Sequence, residues 1–440
     1  MASYLCNLYS TTFLCLATCC ALISAQTRTW NVTDLGWFGI RNPAFTAIEP
    51  RPGGQGGYDL SISTFSAVPE TLDSNFIVRD IGRQLQEKDI RNFDVEELPG
   101  RVLWPNEINL VPEDVFGISG IRWSATGFLL QSKRRGNVLL IDDSQNGGGK
   151  YYDITTWKCD IGVWFYHRVA WVDVNGDGRK DAITGRARFD FTYGLQKAEM
   201  VWLEHPEDPF NGEPWNIHYM YDGPDAFFTL TNLTTPDGTF EAIITPAYFT
   251  QVLIVHWIEG DTTDWSQPDK IYSRVIDSVE GESYFDAYVA DVNRDDRRDL
   301  LVTASSEVNG KLLAFEIPDD FRTENWTRHQ IADGFVPIIS REGQGSPGIV
   351  LPVHPTTTDT DGKPLLMVTG DDDGKIYIFE SEDYNDVNNW DYTRNVIFES
   401  RGTVGAMSVQ DVDNDGYNEV FIPAYSRSRF HIMTFKPEEN

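Results

Sequence analysis

A chain of 440 residues can hold two or three domains, and it can equally form one large propeller or barrel. Its formal net charge of −31 excludes nucleic acid and anionic membrane surfaces as partners. Four of the five cysteines, Cys6, Cys15, Cys19 and Cys20, fall in the first 25 residues; only Cys159 lies beyond them, so no internal disulfide is expected.

Residues 1–25 read as a secretory signal. Phe13 to Ala25 is a short, mostly apolar run that ends on Ser24-Ala25 ahead of Gln26. An uncleaved anchor is the alternative, although the run is short for a membrane span. Residues 26–440 are then expected to form one domain, secreted or in the lumen of the secretory pathway. The sequons at Asn31, Asn232 and Asn325 fit glycosylation on that route.

Beyond the leader the chain repeats itself. GGQGGYDLSISTF, with Asp59, opens the series, and GISGIRWSATGFLLQS, near Gly120, continues it without acids. WVDVNGDGRKDAITGRAR follows. There Asp173, Asn175, Asp177 and Asp181 stand at positions one, three, five and nine of a short loop, and Arg179 at position seven offers its carbonyl. Alternate oxygen ligands of this kind converge on one hard cation, which points to calcium. Gly178 supplies the positive φ that lets the backbone wrap the ion. PDGTFEAIITPAY is a degenerate copy with Asp237 and Glu241. DVNRDDRRDLLVTA is a full one, with Asp291, Asn293, Asp295, Arg297 and Asp299, and with Asp296 where glycine is expected. TDTDGKPLLMVTG is degenerate again, with Leu365 in the ninth slot. DVDNDGYNEVFIPAY closes the series with Asp411, Asp413, Asp415, Tyr417 and Glu419. An EF-hand would need a glutamate at position twelve and flanking helices, whereas β-branched runs flank these loops.

The ninth-slot residues Asp181, Asp299 and Glu419 are 118 and 120 apart, twice about 60, and the series runs near 59, 120, 181, 241, 299, 365 and 419. A second phrase keeps phase with it: Trp215, Trp326 and Trp390 each open a strand that finishes a unit, and Trp30 opens another near the start. Four strands per unit and seven units predict an all-β, seven-bladed β-propeller with calcium-binding hairpin loops. After Glu419 only two strands remain, so the N-terminal strand from Trp30 to Leu35 is expected to close the last blade.

These loops resemble those of the FG-GAP or VCBS repeat propellers, which also occur in integrin α heads. The resemblance implies the fold and structural calcium, with no organic cofactor, and it leaves activity open.

In such a ring the calcium corners lie on one face, and the segments that lead into each innermost strand gather at the channel mouth on the other. Those segments are aromatic. Trp164, Phe227, Phe228, Tyr284 and Phe285 are expected to line a funnel, with Arg168 and Arg341 among the ligand-binding residues. If Asp173 faces Asp181, Tyr166 sits opposite Arg188 and Arg168 opposite Arg186 on one sheet face, with His167 on the other. Tyr166, His167, Arg186 and Arg188 are therefore the candidate catalytic group, able to hold an anionic or carbonyl oxygen or to move a proton. The bland alternative is that the aromatics pack between blades and the arginines pair with surplus acids. His218 and His329 recur within the tryptophan phrase, as structural residues would.

No Gly-rich nucleotide loop, G-x-S-x-G elbow, H-E-x-x-H or assignable pair of glycosidase carboxylates occurs. The layout is similar to that of the secreted fungal propeller hetero-Diels–Alderases of tropolone–sesquiterpenoid biosynthesis. That resemblance implies a cofactor-free enzyme of secondary metabolism joining a humulene-type alkene to a tropolone quinone methide. A polysaccharide lyase or sugar dehydratase, with Tyr166 or His167 as base, is a second reading. A non-catalytic lectin or adhesion module is a third. The expected partner is a small molecule or glycan, and the oligomeric state is open.

Overall fold

The computed structural model describes residues 30–438 apart from 69–70, 72, 129–132, 134, 145–148, 156–162, 191–193, 260–263 and 339–343. The leader, Cys159 and Arg341 lie outside the described residues. Seven four-stranded antiparallel sheets form the blades of a propeller. We number the blades by their innermost strands: Pro43–Pro50, Pro105–Leu110, Phe165–Val172, Thr229–Thr235, Ser283–Ala290, Val350–Val353 and Ser408–Gln410.

The second strands begin at Tyr58, Ile121, Asp181, Gly238, Asp299, Leu365 and Glu419, each within three residues of the series read from the sequence. Trp215, Trp326, Trp390 and Trp30 each stand just ahead of an outermost strand. In blade 7 that outermost strand is Thr33–Gly39, which pairs antiparallel with Arg429–Thr434 and so closes the ring with the two ends of the chain. Closure removes the exposed edges that an open array would present.

Second strands are covered on both faces by neighbouring blades, and their composition follows: all seven residues of Asp299–Ser305, DLLVTAS, are buried. Each seam between adjacent blades has its own apolar cluster. Tyr284, Trp257 and Phe315 fill the seam between blades 4 and 5, and Phe38, Phe421 and Phe430 that between blades 7 and 1. Two short helices, unannounced by any periodicity, decorate the ring at Ile81–Glu87 and Glu113–Phe116. The first lies against the last acid-rich loop so closely that a Cβ on Gly82 would stand 1.9 Å from the Val412 carbonyl oxygen.

Candidate functional site

The innermost strands all start at one face, and there the residues ahead of them meet those that follow the second strands. They enclose a cavity of about 330 Å³ over the central channel, at the small end of the range for small-molecule sites. Its walls are aromatic. Trp104 is sandwiched between Phe65, at 4.0 Å, and Phe128, at 4.7 Å and nearly coplanar. Phe165, Phe249 and Phe285 continue the wall around blades 3, 4 and 5. Offset stacks of this kind bury large apolar area in fixed geometry.

The floor is built on one strained residue. Arg168 sits at φ 38, at a bulge in the innermost strand of blade 3, and this aims its side chain across the channel. Its guanidinium bonds Glu107 of blade 2 at 2.7 Å and the Phe228 carbonyl at 3.1 Å, and lies 3.9 Å from Asp286 of blade 5. Asp286 in turn accepts the Val350 N–H of blade 6 at 3.2 Å. Above this clamp Phe227 covers the guanidinium at 4.7 Å and meets the rings of His167 and Phe285 edge to face at 5.1 and 5.0 Å.

Polar groups enter the cavity at few points. His167 is buried, and burial, then the Arg168 charge, push its imidazole down to about 3, so it is neutral at physiological pH. Asp225 accepts backbone N–H groups from Tyr248, Phe249 and Thr250 and so fixes that stretch of wall. Asp371 and Asp372 line the side contributed by blade 6.

The expected pairing across the first hairpin of blade 3 differs from the observed one. Asp181 pairs with Val172, and the bulge at Arg168 shifts the register again, so Tyr166 stands opposite Arg186 rather than Arg188. Tyr166 packs in the seam between blades 2 and 3, Phe228 in that between blades 3 and 4, and Tyr284 in that between blades 4 and 5. Trp164 is covered by the guanidiniums of Arg186 at 4.2 Å and Arg188 at 5.4 Å, and Arg186 also pairs with Glu199 at 2.7 Å. Of the sequence-derived candidates, His167 and Phe285 line the cavity, Arg168 and Phe227 underlie it, and the others described lie outside its wall. Phe65, Phe128, Tyr248 and Tyr425, which follow second strands, were missed although they lie within the repeat phrases themselves, three of them at the last position. The aromatic residue recurring at the end of those phrases, with the Tyr248-Phe249 pair, was the available signal. His218 and His329 each bond a third-strand glutamate, at 3.0 and 2.9 Å, and stack on tryptophan, as structural residues do.

The three acid-rich loops lie at the opposite face and share one conformation. The position-one carboxylates of Asp173, Asp291 and Asp411 accept the position-six N–H, from Gly178, Asp296 and Gly416. The ninth-position carboxylates accept the position-two N–H, from Val174, Val292 and Val412. Asp296 takes the left-handed φ of 66 that its place requires. In the blade 7 loop, Asp411, Asp413 and Glu419 bring one oxygen each within 4.8 Å of the others. Burial first, and the neighbouring carboxylates, push Glu419 up to about 8. This is a set of hard donors that fits a divalent cation. The three sequon asparagines are exposed.

No protein-family model matches the chain, and no curated protein matches it by sequence. Among solved structures it is similar to a puromycin hydrolase at 12% identity over 90% of this chain and 55% of that one, with a TM-score of 0.46. The Pseudomonas aeruginosa periplasmic gluconolactonase PpgL is similar at 11% identity, over 85% of this chain and 96% of that one, with a TM-score of 0.46. A polysaccharide lyase of family PL25, an ulvan lyase bound to -[GlcA(1-4)Rha3S]-, is similar at 8% identity, over 91% and 94% of the two chains, with a TM-score of 0.46. The chain spans about half the length of the puromycin hydrolase. At these identities the likeness is one of architecture and brings no chemistry with it; the chain is a seven-bladed β-propeller on its own strand order.

Proposed function

We propose that this propeller is a cofactor-free enzyme that takes small apolar or aromatic substrates in the mouth cavity and directs a cyclisation between them. The reaction that fits best is a hetero-Diels–Alder addition of a humulene-type alkene to a tropolone quinone methide. One carbon–carbon and one carbon–oxygen bond form, and no atom is lost. The observation that carries the reading is the aromatic sandwich of Phe65, Trp104 and Phe128 facing a few polar groups across a small cavity. Such a site works by orienting two reactants and excluding water, which for an addition of this kind accounts for most of what catalysis requires. The lyase reading fits less well. A uronate polymer would meet Asp225, Asp371 and Asp372, and among the described residues that line the cavity there is no lysine or arginine to neutralise it. We further propose structural calcium in the loops of blades 3, 5 and 7, and a secreted, glycosylated protein.

The test is to generate the quinone methide in solution with the alkene and purified protein. The proposal expects a faster reaction giving one stereoisomer, and a return toward the uncatalysed isomer mixture in Trp104→Ala. An unchanged isomer ratio with the wild-type protein would remove the proposal. Release of unsaturated uronic acids from a polysaccharide panel would replace it with the lyase.

A further inference from the structure

Blade 6 passes from its second to its third strand through Asp371-Asp372-Asp373, and this turn faces the mouth cavity. Two of the three carboxylates are well supplied with donors. Asp372 accepts from the Thr403 hydroxyl at 2.6 Å, the Gln344 amide at 3.4 Å and the Gly345 N–H at 3.1 Å. Asp373 accepts from the Tyr377 hydroxyl at 2.5 Å and the Lys375 N–H at 2.9 Å. Burial raises both above the usual carboxylate range, and these donors oppose that rise. Asp371 differs: among the described residues none donates to its carboxyl, and it adjoins two negative neighbours. Across the ring, three blades away, His167 lines the same cavity, is 5% exposed, and has an Nδ1 with no hydrogen-bond partner. A cavity with an unserved acid on one side and an unserved imidazole on the other is built for a ligand that brings its own polar atoms.

We propose that Asp371 presents its carboxyl as a hydrogen-bond donor to an oxygen of the bound substrate, which spans the cavity toward His167. This deepens the cyclisation reading and rests on it. Burial first, then the charges of Asp372 and Asp373, hold the Asp371 carboxyl well above the usual carboxylate range. A neutral carboxyl in an apolar site is a hydrogen-bond donor that water cannot screen. At a carbonyl oxygen it draws electron density out of the conjugated ketone and favours attack by an electron-rich alkene. The proton stays on Asp371 throughout. The titratable groups around it are Asp372 and Asp373 in the same turn, Tyr248 of blade 4 and Tyr425 of blade 7. Tyr248 is pushed up to about 12, by burial and then by Asp371, and it is hydrogen-bonded to Ser305 and lies near Glu307. Tyr425, also pushed up to about 12 by burial, feels Asp372.

Asp371→Asn is the informative variant, because asparagine tolerates the left-handed φ of 53 at this position. The infrared difference spectrum of the full chain minus D371N at neutral pH should show the carbonyl band of one protonated carboxyl, because Glu419, pushed up to about 8, contributes to both spectra and cancels. Tropone, a neutral ketone that does not itself titrate, is the binding probe, read by quenching of tryptophan fluorescence. Its affinity should fall as pH rises through the Asp371 titration. In D371N it should be about three- to tenfold weaker at neutral pH, the worth of one hydrogen bond, and independent of pH. No protonated band, or D371N binding tropone with the affinity and pH dependence of wild type, overturns the proposal. A band lost in D371N together with no cycloadduct would leave the donor standing and remove only the cyclisation.

Discussion

The seam between blades 1 and 2 is held differently from the seam between blades 4 and 5. The second is filled by large rings, Trp257, Tyr284, Phe315 and Phe321 among them. The first has a small aliphatic cluster of Ile77, Leu98, Val102, Ile108, Leu139 and Ile141, with no aromatic ring. Beside it lies Arg122, 0% exposed, whose guanidinium reaches Glu49, Asp59 at 3.4 Å and Asp143 at 3.2 Å. Arg79 grips Asp143 from the other side at 2.6 Å. Asp59 occupies the ninth slot of the repeat, the place held by Asp181, Asp299 and Glu419 in the acid-rich corners. Where the loop supplies carboxylates, the slot belongs to a proposed cation site. Where the loop is glycine-rich, as in blade 1, the next blade supplies the cation as a side chain. In five of the seven blades the repeat thus keeps an acid at or near the corner, and it leaves open what neutralises that acid.

Breaking the guanidinium seam should have the largest effect. Arg122→Met leaves Glu49, Asp59 and Asp143 buried with less compensation, at a cost of about 3–5 kcal/mol. Urea unfolding measures it, and added calcium should not restore the loss, because no acid-rich loop lies at this seam. Restoration by calcium would mean that blade 1 binds metal after all. Chelation tests the other kind of corner. At a free calcium level 100 times the dissociation constant, each occupied loop contributes about 2.7 kcal/mol, so a chelator should lower the melting temperature of wild type. Asp173→Ala should remove one part of that response. Loss of catalysis without loss of stability would make the metal catalytic instead.

Acid lability should come from neither kind of corner. His167 and His256 are buried and neutral, each pushed down to about 3, chiefly by burial. A lowered folded-state value means stability present above the unfolded value of about 6.5 and lost as pH falls below it. Between pH 6.5 and 5 each imidazole should account for about 2 kcal/mol of loss, at 1.36 kcal/mol per pH unit. His256→Gln, remote from the mouth, should flatten part of the pH profile in thermal melts. An unchanged profile would place the acid-sensitive group elsewhere.

The fold was legible because each corner needs a turn-forming or acid residue at a fixed phase, so Asp59, Asp181, Asp299 and Glu419 mark strand starts directly. Trp30 marked the closing strand for the same reason. The site was less legible. The bulge at Arg168 has no local signature, yet it shifts the register by a residue and swaps which side chains meet. Aromatic residues in the segments that lead into innermost strands serve two purposes. Trp104 and Phe285 face the cavity, whereas Tyr166 and Tyr284 fill seams, and alternation along a twisted strand cannot separate them without the register. Asp371 was hidden because a run of three aspartates in a turn reads as a solvated surface.

Blade 4 offers a third answer to the corner and the smallest predicted effect. Its hairpin closes between Thr235 and Gly238, leaving no room for a ligand loop. Glu241 nevertheless persists near the ninth slot, where it accepts the indole N–H of the fully buried Trp265 at 2.6 Å. A single neutral donor asks less of its partner than a guanidinium does. Glu241→Gln keeps an acceptor in place for the indole and should cost under about 1 kcal/mol. Asp59→Asn, by contrast, removes a charge that Arg122 faces in the buried seam and should cost more. Equal losses in urea unfolding would mean that Glu241 acts through its charge, and that blade 4 also holds a cation at its corner.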